Sequence, residues 1–285
     1  GRAASLFELA GDELANRRLL TEAAEAYKRA LAATGSSSVS VVFLEKCASV
    51  QHAARDFDAT LSTCISALAA TSSNGARAAN SRAHFQALVV DSLWKSGRDY
   101  RSELELLAQR VSQPGLGPEA CHFGALVGLR LLLNDGHSAL ENRFIEAIER
   151  STRSGGATVF GQLALLIFAA ERGTPADVVA FDLALAQCDV DSLTPHLQCL
   201  VLRYRSNALR WIGHFDQALL HGEESVAKAH DYGLLGELDL TAMQLAFMCM
   251  DRCDLSAAEK WLGRSREALK GSVIDERTRA HVHAT

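Results

Sequence analysis

Proline occurs four times in 285 residues, aromatic side chains make up 6%, and runs of β-branched residues are few. Scarce proline leaves long stretches free to be helical, and the shortage of β-branched runs removes the usual strand signature. No apolar stretch approaches the roughly 18 residues that a membrane span needs. The longest, Leu163 to Ala170, covers about two helical turns. The first residues carry Arg2, Glu8, Asp12 and Glu13 in place of a continuous apolar segment, so no secretory leader is expected. Basic side chains form no stripe and the formal charge is −5, which argues against direct contact with nucleic acid.

What is present is alanine and leucine, within a composition that is 48% hydrophobic and 22% charged. That supplies a buried core and argues against disorder. The seven cysteines are odd in number and scattered through helical patterns. They read as reduced core residues of a cytoplasmic protein, not as a disulfide framework. A chain of 285 residues is long for one globule but ordinary for a stack of repeats.

A repeat near 40 residues is visible in a recurring turn. It occurs at Arg18-Leu19-Leu20, Arg55-Asp56-Phe57, Gly97-Arg98-Asp99-Tyr100, Gly136-His137, Gly173-Thr174-Pro175, Gly213-His214-Phe215 and Cys253-Asp254-Leu255. The first residues of these turns are 37, 42, 39, 37, 40 and 40 residues apart, and four of the seven are glycine, which suits a helix C-terminus. Helix-compatible sequence flanks each turn, with residues at spacings of three and four. Leu238, Ala242, Leu245, Ala246 and Cys249 precede the last one, and Ala258, Leu262 and Ser265 follow it. Small residues at Gly11, Ala48, Gly128 and Ala246 predict close helix–helix approach. Thr174-Pro175 and Thr194-Pro195 each predict an N-cap with proline in the first helical turn.

These features predict an all-α fold, a right-handed superhelical solenoid of about seven helix–turn–helix repeats of ~37–42 residues. The repeats run over about 3–37, 38–76, 77–115, 116–154, 155–192, 193–233 and 234–272, with a further helix starting within 273–285. The whole of 1–285 is read as one repeat domain. Because the chain opens at Gly1 and closes at Thr285 inside a helix-compatible stretch from Asp275 to Ala284, it is expected to be a portion of a larger protein.

The first repeat, with Phe7, Ala10-Gly11, Leu14, Ala23, Tyr27 and Ala30, resembles a tetratricopeptide repeat at its signature positions. The stretch Leu209 to Leu219, with Gly213, Phe215 and Ala218, is similar to that motif's central turn. The family's usual unit is about 34 residues, and these are longer. Longer units of this kind resemble the helical-repeat arm of large bacterial LuxR-type transcriptional regulators. That resemblance implies an arm receiving a small inducer or a partner protein.

Motifs of catalysis are missing. The sequence contains no phosphate loop, no dinucleotide fingerprint after a strand, no H-E-x-x-H and no G-x-S-x-G elbow. Cys249 and Cys253, and likewise His196 and Cys199, could each be half of a metal site, but four ligands are wanted and no second pair lies nearby. Asp189 and Asp191 lack the glycine and closing glutamate of a calcium loop. Paired carboxylates such as Glu223-Glu224 read as solvated helix faces. No enzyme, metal or cofactor is expected.

The candidate site lies on the concave face, which the first helix of each repeat lines. Arg203, Asn207 and Arg210 share one helical face, and Met243, Phe247 and Met250 hold the corresponding places one repeat later. An arginine and an asparagine beside flexible methionines could hold an anionic or amide group against an apolar wall. The Arg203/Asn207 pair also resembles part of the carboxylate-gripping arrangement of peptide-binding tetratricopeptide domains, with Phe247 where a second polar residue would stand. The alternative is a polar face beside a further repeat.

The expected function is a non-catalytic ligand- or protein-binding repeat domain, a sensor or regulatory arm of a bacterial regulator. Its partner would be a protein, a peptide or a small-molecule inducer on the concave face, and its response a change of curvature or self-association into a homo-oligomer. A passive scaffold for a partner peptide or helix is the alternative. A helical-toroid enzyme stands further off.

Overall fold

A computed structural model describes residues 2–270 apart from 18, 35–36, 72–74 and 136–137. The described residues form fourteen α-helices and no strand. In order these are α1 (Arg2–Asn16), α2 (Leu20–Ala32), α3 (Ser37–Ala53), α4 (Phe57–Ala70), α5 (Ala76–Lys95), α6 (Arg101–Val111) and α7 (Pro118–Asp135). They continue with α8 (Ser138–Gly155), α9 (Val159–Arg172), α10 (Pro175–Ala186), α11 (Pro195–Trp211), α12 (Phe215–Asp231), α13 (Leu235–Asp251) and α14 (Leu255–Lys270). A short 3-10 turn, Val190–Ser192, stands before α11. The architecture is that of a helical solenoid of paired helices. No described helix is long and apolar enough to cross a membrane.

The described residues divide into two compact units, one of residues 2–161 and the other of residues 162–270. In the first, each helix from α1 to α8 packs on the next in sequence. The first helices of successive pairs also touch, α3 with α5 and α5 with α7. In the second unit α11, α12, α13 and α14 pack in the same succession, and α11 touches α13.

The turn within a pair has one recurring construction. Arg55, Gly97, Gly213 and Cys253 all hold positive φ, at 61°, 69°, 83° and 58°. The next residue's N–H donates to the carbonyl five positions back: Asp56 to Gln51, Arg98 to Leu93, His214 to Leu209 and Asp254 to Cys249, at 2.8–3.0 Å. Leu19 donates to Leu14 in the same way at 2.9 Å. These bonds satisfy carbonyls that a helix end would leave orphaned. Gly213 adopts this conformation without a Cβ penalty, whereas Arg55 and Cys253 carry it.

The turn at Gly173 differs. Its N–H makes an ordinary helical bond to Ala169, and Thr174 and Asp177 then close a reciprocal capping box at the start of α10. Thr194 sits at the corresponding place before α11 in extended backbone, but its side chain caps nothing. Gln198 instead donates to the carbonyls of Asp191 and Leu193. The turn residues Arg18 and Gly136-His137, and the further helix expected at 273–285, lie outside the described residues.

Small residues permit close packing. A Cβ on Gly11 would come within 2.5 Å of the Tyr27 ring, and one on Gly128 within 2.3 Å of Phe144. Ala48 and Ala246 are buried. Phe85, Phe144, Leu107, Leu129 and Ile148 are fully enclosed in the first unit, as are Leu163, Leu185, Leu245 and Met248 in the second. Side chains of this size each contribute about 1.5–3 kcal/mol on burial.

Candidate functional site

The six residues read from the sequence occupy the adjacent helices α11 and α13 of the second unit. Each methionine or phenylalanine lies 40 residues after its counterpart: Met243 after Arg203, Phe247 after Asn207 and Met250 after Arg210. Most of α13 is buried, yet Phe247 is 44% and Met250 48% exposed. Met243 and Asn207 are half-buried. Asn207 makes no side-chain hydrogen bond among the described residues, so its amide keeps its donors and acceptor available.

The two arginines are engaged within the fold. Arg203 Nε donates to Glu237 Oε2 at 3.0 Å, and both side chains are nearly enclosed. Its guanidinium lies 4.6 Å from the centre of the Tyr204 ring. Burial works most strongly against the charge on Arg203, but Glu237 and Tyr204 together outweigh it and the pKa stands above the ordinary arginine value. His196 approaches the other Glu237 oxygen at 3.4 Å. Arg210 pairs with Asp251 at 2.6 Å in a more open setting. Gln244 of α13 donates to the Arg203 carbonyl, which completes the seam between α11 and α13. The arginines therefore fasten one first helix to the next, and the groups left facing outward are Asn207, Phe247 and Met250.

Glu237 and Asp251 are the residues sequence reasoning passed over. Their signal was available: opposite charges 34 and 41 residues apart, close to one repeat, place partners on neighbouring first helices.

The first unit has the same kind of seam. Lys46 of α3 donates to Glu8 and Asp12 of α1 at 2.8 Å. The buried Asp91 of α5 accepts from His52 of α3 at 2.7 Å, from Lys95 at 2.8 Å and from Arg130 of α7. Alongside runs an aromatic line in which His84 stacks on Phe123 at 5.0 Å and Phe123 meets Phe160 edge-on at 5.2 Å. Burial, with a smaller push from His52, lowers the His84 pKa to about 4.

The possible metal pairs separate. Cys249 is buried, whereas Cys253 is an exposed turn residue, not the small core residue its spacing suggested. Cys199 is enclosed, with its thiol pushed up to about 12 by burial, while His196 faces outward. No group of three or more metal-binding side chains occurs among the described residues.

Solved structures with the same arrangement of helices exist. A Rap protein complexed with competence and sporulation factor superposes with a TM-score of 0.68 at 12% identity, over 94% of this chain and 75% of that one. The apo form of RapI gives 0.59 at 11% identity, over 95% and 77%. The fold is a tetratricopeptide-like helical repeat. At these identities the Rap structures establish architecture alone. No protein-family model and no curated protein matches the chain.

Proposed function

We propose that this chain is a non-catalytic, peptide- or protein-binding helical repeat that serves as the sensor or regulatory arm of a cytoplasmic bacterial regulator. The observation that carries the reading is the exposure of Phe247 and Met250 on a helix most of whose residues are buried, one repeat along from the uncommitted amide of Asn207. An apolar anchor beside a free amide suits an extended or helical peptide, whose side chain enters the apolar patch while a backbone group meets the amide. The Rap protein of similar fold was crystallised with a factor bound, which agrees with such a role. Resemblance to the arm of LuxR-type regulators suggests a transcriptional or signalling output, and a homo-oligomer is one form the response would take.

Peptide-display selection on the whole chain tests this. Selected peptides should bind the native chain, and Phe247→Asp and Asn207→Ala should each weaken them at least about tenfold, the scale of an interface anchor. Peptides indifferent to both substitutions would remove this face from consideration. Small-angle scattering and sedimentation with and without peptide then separate a switch, which alters shape or association, from a passive scaffold, which alters neither.

A further inference from the structure

A cleft of about 380 Å³ opens between the second helices α12 and α14, within the second unit. It takes no part in the α11–α13 face. Glu223, Val226, Ala227 and His230 line it from α12, and Trp261 and Arg264 from α14. The spacing of the α12 residues puts all four on one helical face. Val226 is buried and Trp261 packs against the core below, so the floor is apolar and fixed. The Arg264 guanidinium lies 4.6 Å from the centre of the Trp261 ring.

The charges decide what fits. Neither Glu223 nor Arg264 belongs to an ion pair among the described residues, though both line the same cleft. A simple anion would pair with Arg264 but face the Glu223 carboxylate. A simple cation would pair with Glu223 but face Arg264. Both side chains are exposed and keep their water, so a neutral apolar molecule would use the floor alone and leave both charges unengaged. A ligand carrying both charges on a small frame engages both walls and still offers the floor an apolar group. The volume falls at the lower end of the range for small-molecule sites.

We propose that the cleft between α12 and α14 binds a small zwitterion of the α-amino acid class with an apolar or aromatic side chain. Its ammonium pairs with Glu223 and its carboxylate with Arg264. The side chain lies against Val226, Ala227 and the Trp261 indole.

The test is titration of the whole chain with L-phenylalanine and L-leucine, followed by calorimetry and by tryptophan fluorescence. The controls are 3-phenylpropionate, which lacks the ammonium, and 2-phenylethylamine, which lacks the carboxylate. At least one amino acid should bind saturably, perturb the fluorescence and lose that fluorescence response in Trp261→Phe. Each control should bind about tenfold more weakly or worse, as expected where a paired group is removed. Glu223→Gln should weaken the amino acid but not 3-phenylpropionate, and Arg264→Gln should weaken it but not 2-phenylethylamine. Both residues project from helix surfaces, and thermal melts establish that the variants fold. The proposal is overturned by the absence of saturable binding at millimolar concentration, by controls that bind as well as the amino acids, or by binding that both variants leave unchanged.

Discussion

Arg55 and Cys253 hold the same left-handed backbone, φ 61° and 58°, at the same place in two turns far apart in the sequence. Gly97 and Gly213 take that place in two other pairs. A side chain there carries a local cost of roughly 1 kcal/mol that glycine avoids. Cys253 is exposed, so its thiol contributes little packing in return. Cys253→Gly should raise stability by about 0.5–1 kcal/mol, seen as a higher urea midpoint. Gly213→Ala, with open space around its Cβ, should lower it by about 1 kcal/mol through the backbone alone.

Gly128 and Gly263 are both helical, yet they should respond to alanine in opposite directions. A Cβ on Gly128 meets Phe144 at 2.3 Å, whereas one on Gly263 meets nothing within 4 Å. Overpacking should cost Gly128→Ala about 1–3 kcal/mol. Gly263→Ala should gain about 0.5–1 kcal/mol from helix propensity. Thermal melts of the two variants, read against the native chain, check the sign of each.

Asp91 is buried and ties three first helices together, accepting from His52 of α3 and pairing with Lys95 of α5 and Arg130 of α7. Asp91→Asn should cost about 3–5 kcal/mol, because partners of a buried charge would be left uncompensated. Arg210→Ala, which opens a far more exposed pair, should cost less than about 1 kcal/mol. Equal urea midpoints for the two variants would remove Asp91 from its place as the anchor of the seam.

His84 gives stability a pH dependence of defined sign. Its pKa in the folded chain is lowered to about 4 from 6.5. The unfolded chain therefore takes up a proton first, and stability falls as pH drops through the window between those values. Above pH 7 both states are neutral at this site and the effect vanishes. In His84→Phe, which keeps an aromatic ring beside Phe123, the loss of stability between pH 7 and pH 4.5 should be smaller than in the native chain.

The helical repeat was legible because alanine and leucine recur at helical spacings and the turns recur near every 40 residues. The same register placed Phe247 and Met250 on a common face, where they stand exposed. What periodicity could not reveal was the use of the arginines. Arg203 and Arg210 look alike in sequence, and only folding sets Glu237 and Asp251 against them. Thr194 shows the converse limit: a residue type suited to capping occupies the capping position and its side chain forms no cap. The α12–α14 cleft escaped notice because its walls come from helices in different repeats, while Glu223 is exposed as its reading as a solvated carboxylate has it.

The ion pairs between first helices join residues 34 to 41 positions apart. Each such seam joins neighbouring repeats only, and Asp91 serves the two on either side of α5. A genetic duplication or deletion of one repeat would thus disturb a single pair of seams and leave the others as they were, provided the new neighbours kept an acid opposite a base. The length of such a protein is an adjustable quantity, and the charges along its first helices are the rule by which one repeat recognises the next.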